Sequence, residues 1–353
     1  MDNPRCLVLF LESCRSERTK ETYLFHLEKF LKWSKKDYES LLFLSKPELT
    51  DLLVDYALYL KKRVSPNSIA MYFAGVFKFL DMNDKEYNKR KIHFIFGEKV
   101  ERGGDRAITN NDLNQMLRVC STHKDRALVQ IFSAVGCRPQ AISDLKLKDV
   151  EAIGEDCLSL RIYAGSTHAR FTFLHRIASD SLLKYHKWRE SVGEKLTSDS
   201  WVFAGNRRFA SMPTEPAAPE TIAKIFTLLM KKAGITRVKT GNRFDLASCG
   251  GFRKRFNTIL KMNSNISQAV SERLMDHKDG LEDNYLKPTR EELFEEYKKA
   301  IPELIFDEAE KLKIENENKQ KRINELESSK DRITELESRM ASISKLLKKI
   351  TDV

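Results

Sequence analysis

The sequence predicts a mainly α-helical, α+β protein: a helical N-terminal domain, a second, mostly helical domain with a small antiparallel sheet, and a C-terminal coiled coil. Three observations lead there. Apolar residues recur at helical spacing through roughly the first hundred positions, segments with strand character are confined to residues 145–174, and beyond Asp307 the chain has no proline or glycine while its apolar residues fall in steps of three and four. A chain of 353 residues also exceeds one ordinary domain and has ample material for two cores.

The first helix signal comes from Tyr23, Leu27, Phe30 and Leu31, with Lys20, Lys29 and Lys32 placed elsewhere on the surface. Ser45-Lys46-Pro47-Glu48 is a capping-box pattern opening a helix that carries Leu49, Leu52, Leu53, Tyr56 and Leu60. Ser65-Pro66 starts a third, with proline at the first helical position and an apolar face of Ile69, Tyr72, Phe73, Val76, Phe77 and Leu80. These elements define a helical domain over residues 1–96. The polar, glycine-containing stretch 97–108 reads as a linker. In the second domain, residues 109–302, Thr109 opens a helix and another follows over 124–134. Residues 145–150 and 157–163 read as strands, with 169–174 returning from a turn at Gly165-Ser166 as a hairpin. Helices resume near Ile177, Thr221, Phe252 and Ser267.

Residues 303–353 form the third part. Ile333, Leu336, Met340, Ile343, Leu347 and Ile350 make an a/d seam, which weakens upstream where Lys319 and Ser329 occupy seam positions. Two readings stand side by side: a surface helix lying on its own domain, and a self-associating coiled coil. The narrow apolar stripe, flanked almost wholly by charged residues, favours the second.

Hydrophobic residues make up 41% of the chain and charged residues 32%, which excludes global disorder. The net charge is +11. Residues 303–353 carry 12 acidic and 11 basic side chains, so residues 1–302 hold +12. A basic body with a balanced tail suits a polyanionic partner, and duplex DNA is the commonest. The six cysteines show no Cys-x-x-Cys and no zinc-like spacing with the seven histidines, so they read as buried thiols in a reducing compartment, with no metal or other cofactor implied. The apolar stretch at residues 6–11 is too short to span a bilayer and lacks a signal-peptide cleavage site; a cytoplasmic protein without membrane contact is expected.

The chain contains none of the common nucleotide-binding, serine-hydrolase or zinc-protease motifs. Dispersed residues in specific contexts remain. Arg138 follows a Gly-Cys turn at the end of an apolar helix, Arg253 stands at the start of another in GFRKRFNT, and ERLMDHKDGLEDNYLKPT places His277 just after a helix and Tyr285 eight residues later. In this order and spacing the second domain resembles the catalytic domain of tyrosine recombinases, especially the integrases of archaea and their mobile elements. Gly136-Cys137-Arg138 is similar to the family's Gly-x-Arg, Arg253 to the arginine of its His-x-x-Arg, and His277 and Tyr285 to its late histidine and nucleophilic tyrosine. The resemblance covers residues 15–302 and leaves the tail unexplained.

The resemblance implies that residues 1–96 are a helical core-binding domain, that the two domains clamp duplex DNA, and that the protein breaks and rejoins DNA as a metal-independent, site-specific recombinase acting in integration or excision. The residue types fit that chemistry. Phosphoryl transfer needs positioning and compensation of charge on phosphate oxygens, which two permanently protonated arginines supply without a metal. A tyrosine hydroxyl attacks phosphorus once it sheds its proton, leaving a 3′-phosphotyrosine and a free 5′-hydroxyl. His277 hydrogen-bonds the phosphate or moves a proton. Lys254 and Arg255, beside Arg253, are candidate phosphate contacts. Thr289-Arg290-Glu291-Glu292 is a capping box opening the family's C-terminal helix, which in relatives docks on a neighbouring protomer, so a homo-oligomer on DNA is implied. Tyr297, within that helix, is the second tyrosine nearby and is set aside as a nucleophile.

Three positions depart from the family pattern. Gly250 stands where the His-x-x-Arg histidine belongs, Ala141 where a glutamate often follows the first arginine, and residues 151–183 contain no lysine, although the family's catalytic lysine lies in the β-hairpin. His168 and Arg170 are the candidates to stand in for that lysine. The alternatives are therefore a catalytically silent DNA-binding or architectural protein on the same fold, and a coiled-coil scaffold whose basic body is incidental.

Overall fold

A computed structural model describes residues 3–100, 106–205, 214–240, 243–275 and 287–351. The chain divides into two compact units, Met1–Arg102 and Gly103–Val353.

The first unit is all helical: α1 (Arg5–Glu12), α2 (Glu17–Ser34), α3 (Tyr38–Phe43), α4 (Lys46–Lys61), α5 (Pro66–Met82) and α6 (Lys89–Phe96). The apolar faces read from the sequence are the buried ones, with Leu27 and Phe30 of α2, Leu49 and Leu53 of α4, and Ile69, Phe73, Val76 and Leu80 of α5 in one core. Each such side chain contributes about 1.5–3 kcal/mol when fully buried. A Cβ on Gly75 of α5 would stand 2.1 Å from the Tyr23 carbonyl oxygen, so α2 and α5 cross at backbone contact and only glycine fits. At the head of α4 the expected capping box forms, Glu48 accepting from the Ser45 N–H at 2.8 Å.

The second unit holds α7 (Asn110–Val119), α8 (His123–Val135), α9 (Pro139–Ser143), β1 (Val150–Ile153), β2 (Cys157–Ile162), β3 (Arg170–Leu174), α10 (Arg176–Ser191), α11 (Pro219–Lys232), the short β4 (Lys239–Thr240) and β5 (Arg243–Phe244), α12 (Gly250–Met262), α13 (Gln268–Met275), α14 (Arg290–Lys298), α15 (Ile301–Leu304) and α16 (Glu308–Thr351). Strands β1, β2 and β3 form an antiparallel sheet in sequence order. Opposite Ser159 stands Phe173, and opposite Leu160 stands Thr172. Because successive side chains point to opposite faces, Leu160 and Ile162 join the core of α8 and α10, while Phe173 enters a second core with Phe256, Leu293, Phe294 and Tyr297. The sheet is thus covered by helices on both sides.

One strand begins later than the sequence predicts. Residues 147–149 form a 3₁₀ turn in which the Asp149 carboxylate accepts from the Lys146 N–H at 3.2 Å, and pairing with β2 starts only at Val150. Ahead of that turn, the Leu145 carbonyl accepts from the Val202 N–H at 2.9 Å. The stretch read as a linker also divides. Its end packs on the second unit, where the Arg106 guanidinium pairs with Asp112 at 2.8 Å and Asp245 at 3.3 Å.

A clasp with no sequence signature closes the far end of α10. Arg189, 1% exposed, pairs with Glu194 through Nε at 2.9 Å and Nη2 at 2.7 Å, and donates from Nη1 to the Trp201 carbonyl at 2.7 Å. Paired in this way, the charge tolerates burial.

The globular part continues past residue 302, since Leu304, Ile305 and Phe306 are buried. From Glu308 the chain runs as one continuous helix of 44 residues. Its first turns lie against the body, where Arg176 pairs with Glu317. Every described side chain from Lys319 to Met340 is exposed, Ile333, Leu336 and Met340 included. Among the described residues no helix is long and apolar enough to cross a membrane.

Candidate active site

The site is organised around the end of α8. Gly136 caps that helix in the left-handed conformation, φ +52°, its N–H bonded to the Phe132 carbonyl. A Cβ there would lie 2.4 Å from Cβ of Phe256 on α12, so both backbone geometry and packing require glycine. This contact seats α8 on α12 and brings the Gly136-Cys137-Arg138 segment beside Arg253.

Arg253, half-buried on the first turn of α12, donates from Nη1 to the Gly136 carbonyl at 3.2 Å and from Nη2 to the Met275 carbonyl at the end of α13. One planar guanidinium thereby joins the segment that carries Arg138 to the chain two residues before His277. From α14, the Tyr297 hydroxyl donates to the Ala134 carbonyl at 3.1 Å, fixing the last turn of α8 from a third direction. Arg138 is exposed at the N-cap of α9, and Pro139, the first residue of that helix, sets its direction.

The hairpin contributes Arg170. It opens β3, half-buried, with its guanidinium 5.4 Å from the Tyr163 ring centroid. Burial pushes the Cys137 thiol up to about 12, while the charges of Arg170 and Arg253 pull the other way, so both guanidiniums lie within electrostatic range of the thiol preceding Arg138. His168 sits differently. It is exposed on the turn, its N–H bonded to the Ser166 hydroxyl at 3.1 Å. Of the two candidates for the missing lysine, Arg170 is thus the one placed with the other arginines. His277 and Tyr285 lie outside the described residues.

Two of the departures from the family pattern fall at packed positions. Ala141 is fully buried in the core, which closes that position to a carboxylate. Gly250 begins α12, where a Cβ would come 3.1 Å from that of Ala247.

Lys254 is half-buried on α12 with its Nζ screened from solvent, and Arg255 is 5% exposed. Its Nη2 donates to Asn110 Oδ1 at 2.9 Å and to the Glu303 carbonyl at 2.8 Å. Burial lowers its pKa to about 10. The expected phosphate contact at Arg255 therefore gives way to an internal clasp between α12, the head of α7 and the chain leading into the tail. Helical periodicity carried the signal: Arg255 shares the face of Phe252, Phe256 and Leu260, all buried.

Two more inward groups border the site. Tyr297 is fully buried between Phe173 and Ala134, and burial raises its pKa well above 10, so it is no nucleophile. α14 packs on its own chain through Leu293, Phe294 and Tyr297, with the Phe294 ring over Gly154. His175, missed from the sequence, caps β3 at 1% exposure, and neither ring nitrogen has a hydrogen-bond partner; burial and the Arg255 charge lower its pKa to about 4. Only its parity with Phe173 hinted that it faces inward.

No protein-family model and no curated protein matches the sequence. Solved structures do. A XerH site-specific recombinase bound to difH substrate in a pre-cleavage complex aligns at 16% identity and a TM-score of 0.54, covering 74% of each chain. A lambda integrase dimer bound to a COC′ core site aligns at 15% identity and a TM-score of 0.50 over 81% of this chain and 94% of that one. A lambda integrase tetramer bound to a Holliday junction gives 15% and 0.50 over 80% and 75%.

The chain has the tyrosine recombinase and integrase fold.

At these identities the likeness is one of architecture, and the chemistry rests on this chain's own residues. Within that fold the second unit gathers Arg138, Arg170 and Arg253 about the end of α8.

Proposed function

We propose that the protein is a site-specific DNA recombinase that cleaves and rejoins duplex DNA through a 3′-phosphotyrosine intermediate on Tyr285. The observation that carries this reading is the Arg253 guanidinium, which ties the Gly136 carbonyl to the Met275 carbonyl and so draws the Arg138 segment towards the chain leading to His277 and Tyr285. Around one phosphate, Arg138 and Arg253 balance charge on the non-bridging oxygens, and Arg170 takes the place of the family's lysine as a third guanidinium. Arginine is a poor acid near neutrality, so Arg170 acts by hydrogen bonding and charge, and protonation of the leaving 5′-oxygen falls to His277 or water.

Duplex DNA is the partner this reading requires, and the excess positive charge of residues 1–302 supports it. Lys254 is a candidate backbone contact. Lambda integrase is a dimer on its COC′ core site and a tetramer on a Holliday junction, which supports assembly on DNA, with the tail as a further means of self-association.

The test is a nicked suicide substrate carrying the native target site. Wild type is expected to form a covalent adduct that EDTA leaves unchanged, and Tyr285→Phe to abolish it while binding stays within about threefold. The second reading, a silent DNA-binding protein on the same fold, is favoured by Gly250 and the lysine-free hairpin. Absence of an adduct with intact binding establishes it in place of the first.

A further inference from the structure

We infer that α16 pairs with α16 of a second copy of this chain as a parallel, in-register, two-stranded coiled coil over residues 325–350. The inference rests on the proposal that the tail self-associates and specifies the partner and its orientation.

The structure supplies the need for a partner. After Glu317 the helix leaves its own body, and every described side chain from Lys319 to Met340 is exposed, with Leu326, Ile333, Leu336 and Met340 each more than half exposed. A polar helix with a narrow apolar stripe gains its stability by burying that stripe. Assigning a to Leu326, Ile333, Met340 and Leu347 places Ser329, Leu336, Ile343 and Ile350 at d. Ile323 falls outside this seam, which sets its upstream limit.

Charge decides the orientation. On this register the g positions hold Glu325, Arg332, Arg339 and Leu346, and the e positions hold Lys330, Glu337 and Ser344. In a parallel dimer each g residue faces the e residue five positions on in the other helix. Glu325 of one copy then meets Lys330 of the other, and Arg332 meets Glu337. Two-fold symmetry repeats both contacts, so every charged g–e pair is attractive or neutral. An antiparallel dimer about the seam's midpoint brings Arg332 against Arg339 instead. The self-complementary pattern commits the partner to a second copy rather than to a different protein.

The experiment uses full-length chains. One variant carries Glu325→Lys and Glu337→Lys, the other Lys330→Glu and Arg332→Glu. In either homodimer all the g–e contacts named become repulsive, so each alone should dimerise at least about tenfold more weakly than wild type by light scattering. An equimolar mixture restores every contact and should recover the wild-type mass. Orientation is read separately with Ser329→Cys. In-register parallel helices bring the two d positions within disulfide range, whereas an antiparallel pair holds them about 27 Å apart. Peptide mapping after mild oxidation should find residue 329 joined to residue 329 of the partner.

If wild type is a monomer at micromolar concentration, the self-association reading fails and takes this inference with it. Should wild type dimerise and lose mass on removal of residues 307–353, while residue 329 fails to crosslink or the mixture fails to recover, self-association stands and the parallel register is wrong.

Discussion

The guanidinium of Arg253 and the carbonyl of Gly136 are held 3.2 Å apart, and the same guanidinium also bonds the Met275 carbonyl. A lysine at 253 keeps the charge but cannot reach two carbonyls in one plane. Arg253→Lys is therefore expected to slow adduct formation on the suicide substrate by about 10²-fold or more while leaving DNA affinity within about threefold. A rate within threefold of wild type would show that the two-sided contact is dispensable.

Gly136→Ala tests the seat on which the site rests. The substitution places a Cβ in a left-handed backbone conformation and 2.4 Å from that of Phe256. Strain and overpacking together should cost about 3 kcal/mol in urea unfolding. A loss below about 1 kcal/mol would mean that α8 and α12 separate easily.

The adjacent cations Lys254 and Arg255 should behave oppositely. Arg255→Met leaves Asn110 and the carbonyls of residues 303 and 304 without their donor, at about 2–4 kcal/mol of stability, without changing the salt dependence of DNA binding. Lys254→Ala should make the slope of log K against log salt shallower by about 0.9. Measured slopes that move in the reverse order would return Arg255 to the interface.

His175 gives a pH signature. Its folded-state pKa is about 4 against an ordinary 6.5, through burial first and the Arg255 charge second. As pH falls, the unfolded chain takes up the proton before the folded one does. Stability contributed by the neutral ring is thus complete above about pH 6.5 and declines by up to about 1.4 kcal/mol per unit until about pH 4. His186, lowered to about 4 mainly by burial, adds a second such term. Unfolding of His175→Gln between pH 6 and 5 should show a slope smaller by close to one proton; an unchanged slope would place the imidazole in contact with water.

The helices were legible because Leu27, Phe30, Phe73 and Phe132 recur at their period and because Ser45, Thr109 and Thr289 mark helix starts. Arg138 and Arg253 were legible as a pair through their contexts. What joins them was not, since the Phe256 contact with Gly136 and the Arg253 bonds to carbonyls at 136 and 275 connect positions more than a hundred and about twenty residues apart. Arg255 faces inward in phase with Phe252 and Phe256, which its place beside Arg253 in the chain does not reveal. Arg189 and Glu194 show the complementary difficulty: two charged residues in a polar stretch give no sign of burial until the loop carrying Trp201 closes over them.

The uninterrupted helix from Glu308 has a mechanical consequence. Its root is bolted down, with Arg255 gripping the carbonyls of residues 303 and 304 and Arg176 holding Glu317. Torsion at the far end has no hinge in which to dissipate, so the helix works as a dial as well as a spacer. Inserting seven residues into the exposed stretch after Lys319 would move the seam outward by about 10 Å while turning it only about 20°, whereas inserting two would shift it about 3 Å and swing it by about 160°. Whatever grips the seam therefore reads the azimuth of the second unit's globular body, and the length of the intervening helix is an angular setting fixed in the gene.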